Sequence, residues 1–257
     1  MARRATVIKA IRNRSENPVL VLDAGNTLLG QELASRSEGR VIVDAMNAME
    51  YDAMTVGFLD LSKGVDILLQ RAQEARFAIL SCNIVNIGDE KPILPPYVII
   101  ERDSLRFGVL GVSEPDVARF APEDMSRIKV LDPVATVQKY LPEVQSRSDV
   151  VLLLSHLGFD EDKALAEAVP GIDVIVGGRS RKLMRAPERA GETVVVQMGY
   201  DGEWLGKSDV AFDAQGQICE SSIQMMTLGP DVFDDRELSL LVDSYKKRFP
   251  SPTPGTQ

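Results

Sequence analysis

Residues 150–158 read VVLLLSHLG: five apolar residues in an unbroken run, then Ser155, His156, Leu157 and the stop at Gly158. A strand with one wet face would alternate, so a continuous run describes a strand covered on both faces, as inside a parallel α/β sheet. The same texture recurs on both sides of it. VLVLD at 19–23, halted by Gly25, FAILS at 77–81 and IDVIVG at 172–177 each read as a buried strand, and residues 52–57 as another short one. Helical spacing fills the intervals, with Val41, Ala45, Met46 and Met49 on one face and further helices over 65–75 and 133–145. The first residues fit a short amphipathic helix ending before Pro18, and YVIIE with RFGVLGV an extended pair.

From Thr193 the texture becomes VVVQMG, KSDVAFD and ICESSIQMM with a turn at 214–217, so the chain is expected to finish as β-hairpins. Leu238, Leu241 and Tyr245 then predict a terminal helix over 234–248. The expectation is an α/β fold, two sheets packed in one domain over 1–228, with a C-terminal helix at 229–249 packed on or leaving it and a disordered tail at 250–257.

With 257 residues, 44% hydrophobic and 26% charged, disordered and collagen-like chains are excluded. The balance of 29 basic and 38 acidic residues, net −9, repels phosphate backbones, so no nucleic-acid role is expected. Cys82 and Cys219 stand alone, which supports neither a disulfide framework nor a structural zinc. Histidine occurs once, at His156, too few for a His-rich metal centre. No run approaches the roughly 18–20 apolar residues of a membrane span, and Lys9, Arg12 and Arg14 interrupt any signal-peptide core. The expected location is cytoplasmic as written, or secreted or periplasmic if the true start lies upstream.

In α/β sheets ligands collect beyond the carboxyl ends of the strands. Those ends read DAGNTLLG (23–30), VGFLD (56–60), SCN (81–83), SHLG (155–158) and GGRSR (177–181). Taken singly each is also an ordinary strand-to-helix turn. Taken in order, LDAGNTLLG, VGFLDLSKG, LLSHLG and VGGRSR resemble the calcineurin-like metallophosphoesterases, within them the 5′-nucleotidase and UDP-sugar hydrolase branch. That family carries D-x-H, then LDA followed by GDxxxG, then VGNHEFDxG, SHLG and IGGHSH or IGGHSQ. The resemblance runs from about Thr6 to Tyr245. It implies a four-layer αββα sandwich in which two divalent metals hold a phosphate ester and the attacking oxygen.

Carried over position by position, the resemblance implies a degenerate site. The D-x-H block has no counterpart, so the first strand is expected to be missing. Asn26 stands at the metal-bridging aspartate, Phe58 at the metal-binding asparagine, Leu59 at the catalytic histidine and Ser62 at its aspartate partner. Asp60 keeps its acidic character, and His156 is the residual ligand. Arg179 and Arg181 occupy two ligand positions, and a permanent cation has no lone pair to give a metal. No metal cofactor is therefore expected, the alternative being one divalent ion, Mn or Zn.

Three readings of His156 stay open: lone ligand, general base or packed residue. Arg179 and Arg181, with Asn83, are candidates to hold an anion in the former metal cleft, or the arginines pair internally with Asp23 or Asp60. The expected function is a catalytically degenerate homologue acting as a binding or assembly subunit. The alternative is a divergent phosphoesterase working through His156 and Asp60. Either way, another protein chain or a second copy is expected to cover the edge left by the missing strand.

Overall fold

The chain was analysed as a computed structural model that describes residues 1–251 except Met125. Of the tail expected at 250–257, residues 252–257 lie outside the described residues. In chain order the elements are α1 (Ala2–Arg14), β1 (Leu22–Asp23), α2 (Glu32–Arg36), α3 (Arg40–Ala48), β2 (Ala53–Thr55), a 3-10 turn (Phe58–Leu61), α4 (Val65–Glu74), β3 (Ala78–Leu80) and β4 (Ile84–Asn86). They continue with β5 (Tyr97–Arg102), β6 (Leu105–Ser113), β7 (Ile128–Val130), α5 (Pro133–Arg147), β8 (Val150–His156), α6 (Phe159–Ala168) and β9 (Val174–Gly177). The last are β10 (Glu188–Ala190), β11 (Thr193–Gln197), β12 (Trp204–Phe212), β13 (Ile218–Thr227) and α7 (Arg236–Arg248).

The apolar runs sort these elements into layers. Along β8 the odd residues Val151 and Leu153 pack with Val137, Leu141 and Val144 of α5, while Leu152 and Leu154 face Ala53 and Leu80 of the other sheet. A strand that buries both rows has no polar row, which is why residues 150–154 do not alternate. The larger sheet runs β10-β11-β9-β8-β6-β5, with β6, β8, β9 and β11 parallel and the two edges antiparallel. The smaller runs β1-β2-β3, all parallel. Helices α5 and α6 cover the outer face of the first, and α1, α3 and α4 that of the second. This is the expected four-layer sandwich. The sheets approach closely at Gly111 of β6, where an added Cβ would lie 2.5 Å from the Leu80 Cβ and 2.7 Å from the Leu80 oxygen.

Helix α7 begins at Asp235, whose carboxylate accepts from the Leu238 amide at 3.0 Å, and it packs on α1 and α3 through buried Leu238 and Tyr245. Among the described residues no helix is long and apolar enough to cross a membrane.

Two expectations need correction. VLVLD is not a strand covered on both sides: only Leu22 and Asp23 are in the ladder, both half-buried, and among the described residues β1 pairs with β2 alone. Before Leu22 the Val21 amide turns to the Asp52 carboxylate rather than to a strand partner, and among the described residues no strand lies on the outer side of β1. Nor does VVVQMG belong to a hairpin with KSDVAFD. It forms β11, parallel to β9 and wholly buried, and only β12 and β13 pair as a long hairpin. Its unbroken apolar run Val194–Val196 carries the same buried-strand signal as β8.

Candidate functional site

The carboxyl ends of β1, β2, β8 and β9 converge, and the residues that follow them meet there. Asp60 sits in the turn after β2, 1% exposed, because its carboxylate organises the loop after β1. It accepts from the backbone amides of Asn26 (2.8 Å), Thr27 (2.9 Å), Leu28 (2.8 Å) and Gly57 (2.9 Å). Desolvation pushes its carboxyl up to about 6, against the pull of those amides toward the charged form. Asn26 lies opposite with φ 62°, its Oδ1 accepting from the Leu59 amide at 2.8 Å. Both oxygen donors of these two loops are thus engaged in holding them together.

His156 ends β8 and is 2% exposed. Its Nδ1 lies 2.6 Å from the carbonyl oxygen of Ala24, while Nε2 is buried without a partner. The Phe58 ring stands tilted beside it, centroids 6.1 Å apart. Leu59 is half-buried, and Ser62 is exposed at the end of the turn. Burial, followed by the nearby Arg179 charge, lowers the imidazole to about 4, although the Ala24 contact works in the opposite sense.

Arg179 and Arg181 are exposed and adopt φ of 68° and 57°, a left-handed backbone that costs a non-glycine residue about 1 kcal/mol or more. Neither takes the expected internal partner. Arg179 donates to the Leu157 carbonyl at 2.9 Å, and the Arg181 guanidinium lies 5.3 Å from the centre of the Tyr200 ring. Among the described residues neither forms an ion pair. Asp23 accepts instead from the Thr27 hydroxyl (2.6 Å) and the Gly25 amide (2.9 Å). Asn83 sits apart from the arginines in function: fully buried, it donates to the Ser113 and Leu131 carbonyls and accepts from the Ser113 amide. It has no donor left for an anion.

Two carboxylates escaped the reading of the sequence. Glu114, immediately after β6, is 2% exposed, and neither oxygen has a hydrogen-bond partner of ordinary geometry, although the Phe58 amide lies near enough to favour its charge. Burial pushes it up to about 7. Asp162 in α6 takes the Ser155 hydroxyl on one oxygen, leaves the other unpartnered and is likewise pushed up to about 7 by burial. A charged residue directly after the apolar run VLGVS was the available signal for Glu114. Asp162 looks like any acidic residue in a first helical turn.

A binuclear metal centre does not fit this donor set. Asp60 and Asn26 are spent on backbone amides, and a guanidinium charge lies beside the one imidazole. Among the described residues no group of three His, Cys, Asp or Glu could hold an ion.

Beside these residues opens a cavity of about 1130 Å3, bounded by Asp23, Asn26, His156, Arg179 and Arg181 at one end and by β1 and β12 along its length.

No protein-family model matches the chain. The snake venom 5′-nucleotidase of Crotalus adamanteus is 28% identical over 270 residues, covering 96% of this chain and 46% of the relative. The trifunctional nucleotide phosphoesterase YfkN of Bacillus subtilis is 27% identical over 288 residues, covering 96% and 20%. Among solved structures, a 5′-nucleotidase precursor from Thermus thermophilus superposes with a TM-score of 0.86 at 26% identity, covering 96% of this chain and 52% of that one. Sulfate thiohydrolase SoxB of Thermus thermophilus shares the fold at 0.89 and 24% identity, covering 96% and 46%. The chain spans about half or less of the length of these proteins.

Proposed function

Starting from a chain that belongs with the 5′-nucleotidase-type calcineurin-like metallophosphoesterases, we propose that this protein does not hydrolyse phosphate esters and works as a binding or assembly subunit. One observation supports the reading: the Asn26 amide oxygen, at the position the resemblance gives to the metal-bridging carboxylate, accepts from the Leu59 amide, and the neighbouring Asp60 carboxylate is taken up by four backbone amides. A metal would have to break those bonds, and it would meet Arg179 beside His156. The protein holds no resident metal. Arg179 and Arg181, exposed and without ion pairs among the described residues, hold an anion at the mouth of the former metal cleft. A partner covers the open edge of β1.

The test is elemental analysis of purified protein after incubation with manganese and with zinc, alongside assays on a panel of nucleotides and aryl phosphates. Substoichiometric metal and no turnover above background support the reading. Stoichiometric metal with turnover that His156→Ala abolishes overturns it and selects the divergent phosphoesterase, for which the buried His156 Nε2, without a hydrogen-bond partner among the described residues, is the specific support.

A further inference from the structure

Helix α6 carries Glu161, Ala164, Leu165 and Ala168 at positions i, i+3, i+4 and i+7, which sets the four on one face. Leu165 is buried in the core beneath, and the two alanines leave this face low where longer side chains would fill it. A groove of about 520 Å3 results, walled on its other side by Pro115 and by Pro133 and Val134 in the first turn of α5. That volume lies within the roughly 300–1,000 Å3 of small-molecule sites. At the Ala168 end the Gln138 side chain donates to the Ala168 carbonyl at 3.2 Å and ties the two helices together. From Ala168 back to Glu161 the groove runs about 10 Å, at 1.5 Å per helical residue.

The Glu161 end is charged with both signs. A Cβ built on Gly158 would stand 2.7 Å from Glu161 Oε2 and 3.9 Å from Arg179 Nη1, so the two charges flank one backbone position. Neither forms an ion pair among the described residues. Arg179 gives Nη1 to the Leu157 carbonyl at 2.9 Å, and its other donors are unspent among the described residues. Both side chains are exposed, and a direct contact between exposed charges is worth little in water, so a ligand that bridges them meets weak competition.

We propose that this groove binds a free α-amino acid with a long apolar side chain, its carboxylate on Arg179, its ammonium on Glu161 and its side chain along Val134, Ala164 and Ala168. The class follows from the arrangement. Opposite charges that flank one position without touching, beside an apolar floor, match a molecule that carries its own two charges on one carbon together with an apolar substituent. A guanidinium fork takes a carboxylate, and a carboxylate takes the three donors of an ammonium. An apolar acid without the amine would leave Glu161 unanswered, and an apolar amine without the acid would leave Arg179 so, which makes the site selective for the zwitterion. The inference goes beyond the assembly reading and shares only Arg179 with it.

The test measures binding of L-phenylalanine to the full chain by titration calorimetry, beside 3-phenylpropionate, which lacks the ammonium, and phenethylamine, which lacks the carboxylate. The expected result is saturable binding of phenylalanine, tighter than either analogue by about tenfold or more. Glu161→Gln should bring phenylalanine down to the level of phenylpropionate, and Arg179→Gln down to that of phenethylamine. Ala164→Trp fills the groove from an exposed position and should abolish binding of all three while the variant keeps its far-UV circular dichroism. Ala168→Leu, a smaller change that shortens the groove, should weaken phenylalanine more than alanine. Arg181→Gln should leave the affinity unchanged; a loss there would put the carboxylate at the cleft mouth and overturn the groove. No binding of phenylalanine, leucine or methionine overturns the proposal, as does equal binding of phenylalanine and its two analogues or undiminished binding by folded Ala164→Trp. None of these readouts involves metal or turnover, so hydrolysis by the native protein would remove the non-catalytic reading and leave the amino-acid result standing or falling by itself.

Discussion

The Nδ1 atom of His156 lies 2.6 Å from the carbonyl oxygen of Ala24, and this contact sets what the imidazole can do. A carbonyl can only accept, so Nδ1 carries the proton and Nε2 keeps its lone pair in a buried space without a donor. The ring also pins the β1 loop to the end of β8. An added Cβ at Gly178 would lie 2.7 Å from the Ala24 oxygen and 2.8 Å from Nδ1, so the next loop closes over the same bond.

The titration of His156 follows from this placement. As the one histidine of the chain, it gives a single pair of imidazole resonances, with an expected midpoint near 4 and the Nδ1–H tautomer at neutral pH. A folded value below the unfolded one means that the neutral form stabilises the fold above the unfolded value, and that this contribution is lost as pH falls toward 4. A midpoint near the ordinary value, about 6.5, would show that the ring is not held as described.

The buried carboxyls act in the opposite sense and outnumber it. Glu114 and Asp162 are raised to about 7 and Asp60 to about 6, burial being the first cause in each. A raised folded value means that the protonated form is favoured in the fold; the stabilisation is complete below the unfolded carboxyl range and is lost as pH rises through the folded values. The melting temperature should therefore fall by several degrees between about pH 5.5 and pH 8, at roughly 2–4 °C per kcal/mol. Glu114→Gln should flatten that slope. A profile rising through this window would contradict the burial of these groups.

Asp60→Asn should destabilise the fold although it removes no bulk. The amide nitrogen would face backbone donors where a carboxylate now accepts four N–H groups, at a cost of about 3 kcal/mol. Thermal unfolding should show a decrease of roughly 6–12 °C. An unchanged midpoint would mean that Asp60 does not hold the two loops together.

On the non-catalytic reading proposed above, Arg179→His with Arg181→His should confer no hydrolysis, because Asn26, Phe58 and Leu59 remain and Asp60 stays on its amides. Elemental analysis should show no stoichiometric manganese, and nucleotide turnover should stay at background. Turnover in the double variant would show that the arginines alone had silenced the site.

The layers of the sandwich were legible because burial on both faces leaves unbroken apolar runs, as in VVLLLS. β1 misleads for the same reason: VLVLD carries the composition of an interior strand, yet what stands beside it is an open cavity. β11 misleads through its neighbours, since the alternating strands after it suggest hairpins and only pairing with β9 marks it as parallel. The residue types at Asn26, Phe58, Leu59, Arg179 and Arg181 were readable position by position, because side-chain chemistry is a property of the residue. The burial of Glu114 and the full engagement of Asn83 were not, because both depend on residues distant in the chain.

By itself the sequence determined which groups are present where the strands end: one imidazole, two permanent cations, an amide and a carboxylate. The tertiary structure decided what those groups are free to do. It engaged Asp60 and Asn26 with backbone amides, buried Glu114 within reach of the Phe58 amide and the Arg179 charge, left Arg179 and Arg181 without an ion pair among the described residues and opened a cavity beside β1 and β12. Residue type fixes donor and charge, but satisfaction and exposure arise only when segments far apart in the chain are brought into contact.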